Sequence, residues 1–149
     1  MAKNQKTQTK IHAIGRRKTS VARVYLSEGT GSAIVNGKDL KEYFGSTTVY
    51  GAVAVRPLDV LGVKSGFDLV ATVKGGGITG QTDAVSLALA RALCLHELKA
   101  NPFHAAAAEA EDDEESTENV LPWKSQLKSK KLLTRNARIV ERKKYGFRK

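Results

Sequence analysis

The sequence of 149 residues has little cysteine, few aromatic residues and no long hydrophobic run. Its single cysteine, Cys94, excludes a framework of disulfide bonds and any zinc site built from cysteines. No apolar stretch reaches the ~18 residues that a membrane-spanning helix needs, so no membrane partner is expected. The basic N-terminus lacks the apolar segment of a secretory signal and the arginines of a mitochondrial presequence. These absences predict a soluble, intracellular protein with its cysteine reduced.

Negative charge is scarce outside one segment. The chain carries 25 Lys and Arg against 15 Asp and Glu, for a net charge of +10. Residues 105–123 contain 7 acidic side chains and no base, whereas residues 124–149 contain 11 bases and one acid, Glu141. Cations at this density release counterions when they bind phosphates, which favours nucleic acid as the partner. The acidic segment has almost no apolar surface and predicts a loop that faces solvent.

Alternating hydrophobic residues predict four strands, near Ile11 and at 21–26, 32–35 and 67–73. Residues 15–18 are expected to break the first strand as a loop or an edge, because the adjacent cations Arg16, Arg17 and Lys18 cannot all face a core. The first three strands are expected to form a small antiparallel hairpin arrangement.

Helical signals occupy the rest of the core. Residues 39–44 predict one or two helical turns that end at Gly45, and 47–55 favours a helix over a strand, ended by Arg56-Pro57. A long buried helix is predicted over 81–100, capped by Thr79 or Thr82, on which Cys94 and His96 are packing residues. A short basic helix is expected over 124–133, with an extended tail from Thr134.

The segment Gly75-Gly76-Gly77-Ile78-Thr79-Gly80 matches GxGxxG between a strand and a helix. A dinucleotide-binding turn also requires a second parallel strand about 20 residues later that ends in an acid, and none follows here. Two interpretations remain open. The glycines make a tight turn with positive φ, or bare amides at the helix start hold an RNA phosphate.

No catalytic set emerges from the sequence. The three histidines, His12, His96 and His104, share no motif with Ser, Asp or Cys, and the carboxylates cluster in the acidic segment. Residues 16–20 resemble a substrate of basophilic kinases, but a loop that contacts RNA phosphates explains these cations better. That hypothesis assumes that no internal counter-charge lies near Arg16, Arg17 and Lys18.

The order of short motifs resembles the family of small-subunit ribosomal protein nine, of the bacterial type. The resemblance covers roughly residues 11–100 and 124–149, and it is carried by motifs that share their order and spacing with that family. These motifs are Gly15-Arg16-Arg17-Lys18, Val35-Asn36-Gly37, Tyr43-Phe44, Gly75-Gly76-Gly77, Gly80-Gln81, Arg91-Ala92-Leu93 and Leu133-Thr134-Arg135-Asn136-Ala137-Arg138, followed by Glu141-Arg142-Lys143-Lys144.

The resemblance implies an α+β fold, with a small mixed sheet of about four strands and helices packed on it, as in the second domain of ribosomal protein five. It divides the chain into a basic N-terminal tail (1–10), a globular core (11–101), an acidic insert (102–122) and a basic helix with an RNA-binding tail (123–149). It implies a structural role in translation, without enzymatic activity, cofactor or metal. The expected location is the small-subunit head of a cytoplasmic or organellar ribosome.

The resemblance and the charge pattern together predict small-subunit rRNA as the main partner. The residues expected to bind RNA are Arg16, Arg17, Lys18, Lys74, Gly76, Gly77, Lys128, Lys130, Lys131, Arg135, Arg138, Arg142, Lys143, Lys144, Arg148 and Lys149. Neighbouring ribosomal proteins are further expected partners, and the tail is expected to approach the peptidyl-site tRNA.

Three features depart from the family pattern. The family usually continues past this point with about ten more residues that are rich in Arg and Lys, whereas this sequence stops at Lys149, which weakens the expectation of a tRNA contact. The acidic insert replaces a connection of a few residues, and Asn136 stands where the family usually has Asp. The alternatives are a free-standing basic RNA- or DNA-binding module with an acidic regulatory arm and, less favoured, a nucleotide-using enzyme.

Overall fold

The computed structural model describes residues 10–45, 49–100 and 121–146. The strands are β1 (Ile11–Arg17), β2 (Ser20–Glu28), β3 (Ala33–Val35), β4 (Lys38–Asp39) and β5 (Phe67–Lys74). The helices are α1 (Leu40–Phe44), α2 (Tyr50–Leu61), α3 (Ile78–Ala100) and α4 (Pro122–Ser129), with a 3-10 turn at Lys64–Gly66. The predicted α+β class is confirmed. The sheet has five strands because the short β4 pairs with β3 immediately before α1.

The strands form one mixed sheet in the order β1-β2-β5-β3-β4. β1, β2 and β5 are antiparallel neighbours, whereas β3 runs parallel to β5. The expectation that the first three strands form one hairpin arrangement is therefore wrong for β3, because β5 lies between β2 and β3. The connection from β3 to β5 passes through α1 and α2, which is the length a parallel crossover requires.

The expected break at residues 15–18 is wrong, because β1 continues through Arg17. The alternative that these residues lie at an edge is confirmed, since β1 is the first strand in the sheet order. Its register with β2 is unbroken from Ile11 opposite Leu26 to Arg17 opposite Ser20. Only Lys18 and Thr19 form the turn, with Lys18 at φ +51. Successive strand residues point to opposite faces, so adjacent cations need not share one side of the sheet.

The core lies between one face of the sheet and helices α2 and α3. β1 and α3 approach closely at Gly15, where an added Cβ would lie 2.0 Å from the carbonyl oxygen of Ala84 and 2.6 Å from the amide nitrogen of Ala88. The other face of the sheet is exposed. It presents apolar side chains from four strands, namely Ile14, Tyr25, Ile34 and Val70.

Two helices near β5 differ in how well the sequence predicts them. Helix α1 is confirmed, with the Asp39 carboxylate accepting from the Lys41 amide and Gly45 ending the helix at φ +86. Helix α2 is confirmed as a helix but does not stop at Arg56-Pro57, since it runs on to Leu61. Pro57 is fully buried, and its packing offsets the backbone hydrogen bond that proline cannot donate.

The long helix α3 begins at Ile78, three residues before the predicted start. Thr79 and Thr82 therefore both lie inside the helix, and neither is its cap. The Thr82 hydroxyl instead donates to the Ile78 carbonyl at 2.9 Å. Cys94 and His96 are packing residues as predicted, with the His96 ring against Phe67 and Trp123. No described helix combines the length and hydropathy needed to span a membrane.

The C-terminal part of the chain begins with α4, which is shorter than the predicted 124–133 helix. Leu127 is fully buried, and Trp123, Leu132 and Leu133 pack against the core. Residues 134–146 follow as the expected extended segment, outside any helix or strand. The N-terminal residues 1–9, most of the acidic insert (101–120) and residues 147–149 lie outside the described residues. The four-part domain division stays a prediction.

Candidate nucleic-acid interface

The three cations at the β1–β2 hairpin point in different directions. Arg16 and Lys18 are exposed, whereas Arg17 is on the helix-facing side of β1 with its side chain only 13% exposed. Arg16 lies opposite Val21, and Val21 lies opposite Lys74 on β5. Residues opposite one another share a face of the sheet, so Arg16 and Lys74 stand in one row about 10 Å apart.

Arg17 is held by an internal counter-charge, contrary to the sequence-based hypothesis. Its Nε lies 3.3 Å from Oδ2 of Asp83 on α3. Its Nη1 donates to the carbonyl oxygen of Asn136 at 3.3 Å and to that of Arg138. The sequence could not show this pairing, because 66 positions separate Arg17 from Asp83. The pairing also requires β1 to continue through Arg17, whereas the sequence predicts the β1–β2 turn to begin at residue 15.

A cavity of about 220 Å³ lies where the hairpin, α2, α3 and the C-terminal segment meet. Four cations line it together with one acid, Asp83; they are Arg16, Arg17, Arg56 and Lys131. Arg56 was absent from the predicted interface, because the sequence assigned it to the end of a helix before proline. In the structure α2 continues to Leu61, so Arg56 lies within the helix and its side chain is exposed. A sequence interpretation that allowed Pro57 inside the helix would have placed Arg56 on the helix surface.

The glycine motif forms a tight turn between β5 and α3. Gly75 and Gly76 have φ of +73° and +67°, in the left-handed region that favours glycine. A Cβ on Gly75 would lie 2.7 Å from the Thr19 carbonyl oxygen, and one on Gly76 would lie 2.0 Å from Oγ of Ser20. Gly77 has neither a positive φ nor an atom within 4 Å of its Cβ position. The requirement for glycine thus holds at two of the three positions.

A chain of side-chain hydrogen bonds holds this turn in place. The Asn36 amide accepts from the Val73 N–H at 2.9 Å and donates to the Val73 carbonyl at 3.0 Å, replacing a main-chain strand pair beyond the end of β3. The same amide donates to the Tyr43 hydroxyl, which donates to Gln81 Oε1 at 3.0 Å. Gln81 Nε2 then donates to the Gly75 carbonyl at 3.2 Å.

This network gives three of the sequence motifs a shared structural purpose. Asn36, Tyr43 and Gln81 are far apart in the sequence, yet together they fix the glycine turn beside the hairpin. The dinucleotide interpretation gains no support, because no strand follows α3 within residues 121–146. The glycine turn is therefore a fixed backbone conformation that connects Lys74 of β5 to the first turn of α3.

Helix α4 is anchored to α3 by a buried carboxylate. Glu97 is 4% exposed, and its two oxygens accept from the backbone N–H groups of Trp123 at 2.9 Å and Lys124 at 3.1 Å. Amides at the start of a helix have no partner within the helix, so Glu97 caps α4 from outside. The predicted cations Lys128, Lys130 and Lys131 follow on the exposed side, with Lys131 at φ +57.

The extended segment 134–146 carries its cations into solvent. All five of its predicted contact residues are exposed, namely Arg135, Arg138, Arg142, Lys143 and Lys144. Lys144 lies 3.3 Å from Glu141, the single acid of the segment. Asn136 Oδ1 accepts from the Arg138 amide at 2.9 Å, which shapes the backbone where Arg17 contacts it. Arg148 and Lys149 lie outside the described residues.

The geometry brings part of the predicted interface together and leaves part separate. Arg16 and Lys131 share the cavity with Arg56 and with the start of the extended segment, whereas Lys128 and Lys130 do not line it. Within the described residues, no group of three or more His, Cys, Asp or Glu side chains is placed to hold a metal ion. The surface is suited to binding an extended polyanion, because its cations are dispersed along a strand end, a helix and an extended segment.

Comparison with known proteins bears directly on what this basic surface is for. The sequence profile described as Ribosomal protein S9/S16 matches residues 15–149. The chain belongs to this ribosomal protein family. It is therefore a ribosomal protein with a structural role, not an enzyme, which confirms the resemblance noted from the motifs. The cellular location is the ribosome.

Several curated relatives cover nearly the full chain. It is 42% identical over 139 residues to small ribosomal subunit protein uS9 of Cytophaga hutchinsonii, covering 93% of this chain and 90% of that protein. It is 43% identical to the uS9 protein of Gloeothece citriformis, covering 97% and 92% of the two chains. The uS9c protein of Gracilaria tenuistipitata var. liui is 42% identical, covering 91% and 82%.

Proposed function

We propose that this chain is a structural constituent of the small ribosomal subunit and binds rRNA phosphates through the basic surface described above. Its partners are rRNA and other ribosomal proteins. One observation carries the proposal: Arg16, Arg56 and Lys131 all line one cavity at the base of the extended segment, whose own cations are exposed. This arrangement supports a path for one RNA backbone from the hairpin to the C-terminal segment.

Equilibrium binding to a transcript of small-subunit rRNA, measured over a series of KCl concentrations, tests the surface. Each residue that neutralises one phosphate contributes about 0.7–0.9 to the slope of log K against log salt. We expect each of three single substitutions to make this negative slope shallower by about 0.7–0.9, namely Arg16→Ala, Arg56→Ala and Lys131→Ala. Unchanged slopes in all three variants would remove the proposed surface.

Lys38→Ala is the matched control for these variants. Lys38 is exposed, pairs with Glu42 at 3.4 Å, and lies on β4 at the opposite edge of the sheet from β1. It removes the same charge from a place outside the proposed path, so the salt slope is expected to stay at the wild-type value. Co-sedimentation with small subunits through a high-salt gradient separates a ribosomal constituent from a free-standing RNA-binding module.

The finer placement is in the subunit head, with the C-terminal segment directed towards the peptidyl-site tRNA. The exposed cations of residues 134–146 support a contact with an RNA backbone outside the globular body. Small subunits assembled with the chain truncated after Leu133 are expected to release peptidyl-site tRNA faster than wild-type subunits. Equal release rates from the two preparations, each fully occupied by its own version of the chain, would exclude the tRNA contact.

A further inference from the structure

Arg17 occupies a different environment from the cations beside it in the sequence. It is a β1 residue on the helix-facing side of the sheet, and its side chain is 13% exposed. The guanidinium group spans two elements: Nε faces the carboxylate of Asp83 on α3 at 3.3 Å, while Nη1 donates to the carbonyls of Asn136 and Arg138. A planar guanidinium can make these contacts simultaneously because its donors are fixed in a fork.

These hydrogen bonds fasten the extended segment to the globular body. Leu132 and Leu133 pack against the core, but in the described chain the following residues through Tyr145 are exposed and form no strand or helix. Arg17 grips the backbone at positions 136 and 138, just where burial ends. Every described cation beyond this point, from Arg142 to Lys144, leaves the body from a backbone that Arg17 holds.

We propose that Arg17 is a positioning residue for RNA binding: paired with Asp83, it fixes the start of the C-terminal segment so that the cations beyond it are presented in one direction. The inference rests on the proposed RNA-binding function. A segment ordered before binding loses less conformational freedom on binding than a free tail, which raises affinity without adding a phosphate contact. Arg17 thus acts through the backbone of the segment, while Arg16 acts on RNA directly.

The matched pair Arg16→Ala and Arg17→Ala separates the two roles, since each removes one positive charge from adjacent positions. Arg16→Ala is expected to lower the salt slope for binding an rRNA transcript by about 0.7–0.9. Arg17→Ala is expected to weaken binding on the order of tenfold and to leave the slope unchanged. A slope reduced equally by both substitutions would make Arg17 a phosphate contact and overturn the proposal.

Two further variants give opposite results under the two roles. Arg17→Lys keeps the charge but cannot bridge Asp83 and the carbonyls as a fork, so it is expected to bind as weakly as Arg17→Ala. Asp83→Asn removes a negative charge near the RNA, which would strengthen binding if Arg17 contacted phosphates. We expect weaker binding, because Asp83→Asn removes the carboxylate that pairs with Arg17. Wild-type affinity in Arg17→Lys, or tighter binding in Asp83→Asn, would contradict the inference.

A measurement on the free protein keeps this inference separable from the proposed function. The heteronuclear NOE of the backbone amides at 137 and 138 reports fast motion of the segment. It is expected to fall in Arg17→Ala and Asp83→Asn, and to stay at the wild-type value in Arg16→Ala. Unchanged values in Arg17→Ala would overturn the positioning role. If the NOE falls in Arg17→Ala but the wild-type protein does not bind rRNA, Arg17 still positions the segment and the proposed function is rejected.

Discussion

At the scale of single residues, the glycine turn separates two glycines that are required from one that is not. Gly76→Ala forces an L side chain into φ +67 and brings its Cβ to 2.0 Å from Ser20 Oγ. We expect a loss of about 1–3 kcal/mol in the free energy of unfolding. Gly77→Ala is the control, since nothing lies within 4 Å of its Cβ position. Urea denaturation measures both, and equal losses would refute the distinction.

Cys94 offers a second residue-scale prediction. Burial, and then the nearby negative charge of Glu97, raise the pKa of the Cys94 thiol from 9.0 to about 11. Because the thiolate is the reactive form, alkylation by iodoacetamide is expected to keep accelerating from pH 9 to 11 in the folded protein.

The unfolded chain in urea is the control for Cys94, and its alkylation rate should level off above about pH 9. The sign of the stability effect follows from the raised pKa. The folded state holds the thiol proton more tightly, so this contribution to stability is complete below pH 9 and is lost as the pH rises towards 11. A plateau near pH 9 in the folded protein would contradict the prediction.

Which cations share a surface could not be predicted from the sequence at this scale. The triplet Arg16, Arg17 and Lys18 was expected to act together, but strand alternation sends Arg17 towards the helices. That outcome depends on whether the turn begins at residue 15 or 18, a shift of three positions that the local pattern leaves open. Arg56 was missed for a related reason, since Pro57 looked like the end of a helix.

At the scale of elements, the docking of α4 depends on a single carboxylate. Glu97→Gln leaves one oxygen to accept from two amides and turns an NH₂ group towards a donor, so a buried polar group loses its partner. We expect a loss of about 1–3 kcal/mol. Trp123, the one tryptophan in the chain, lies at this contact and reports the docking by fluorescence.

Glu28→Gln is the matched control for the α4 experiment. Glu28 has an exposed side chain and lies 3.6 Å from His96, close to the same aromatic cluster but away from the α4 amides. Its substitution should leave the Trp123 transition unchanged. A Glu97→Gln protein whose fluorescence transition coincides with that of wild type would show that Glu97 is dispensable for docking.

Element boundaries were predictable where the signal is local. Asp39 and Gly45 bracket α1 because capping and positive φ act within one turn, and both effects are visible in the sequence. Neither the short strand β4 nor the parallel pairing of β3 with β5 could be predicted from the sequence. Two residues, Lys38 and Asp39, carry no strand pattern of their own, and pairing partners depend on the crossover through α2.

At the scale of the whole molecule, we predict that the acidic insert is dispensable for assembly. Its seven carboxylates would be repelled by RNA phosphates at short range, so the binding surface must lie elsewhere. Replacing residues 105–119 with a short Gly/Ser linker is expected to leave incorporation into small subunits intact, as measured by sedimentation. A replacement protein that folds, by circular dichroism, yet fails to incorporate would give the insert a binding role.

The broad function was accessible from the sequence because it depends on order and charge. Motif order indicated the family that the profile match confirms, and the basic C-terminal block indicated nucleic acid. The position of Arg16, Arg56 and Lys131 around one cavity could not be predicted from the sequence. It requires the hairpin, α2 and the C-terminal segment to be placed together, and no pattern within any one of them specifies that meeting.

The clasp between Glu97 and the start of α4 has an evolutionary consequence. Because α4 is fastened directly to α3, together with the burial of Leu121 and Leu127, the position of the helix does not depend on the residues that connect them. The entropic cost of closing a connection rises only logarithmically with its length. We therefore expect insertions and deletions between residues 101 and 120 to cost the core little stability, which leaves the length of this connection free to vary while its ends stay joined.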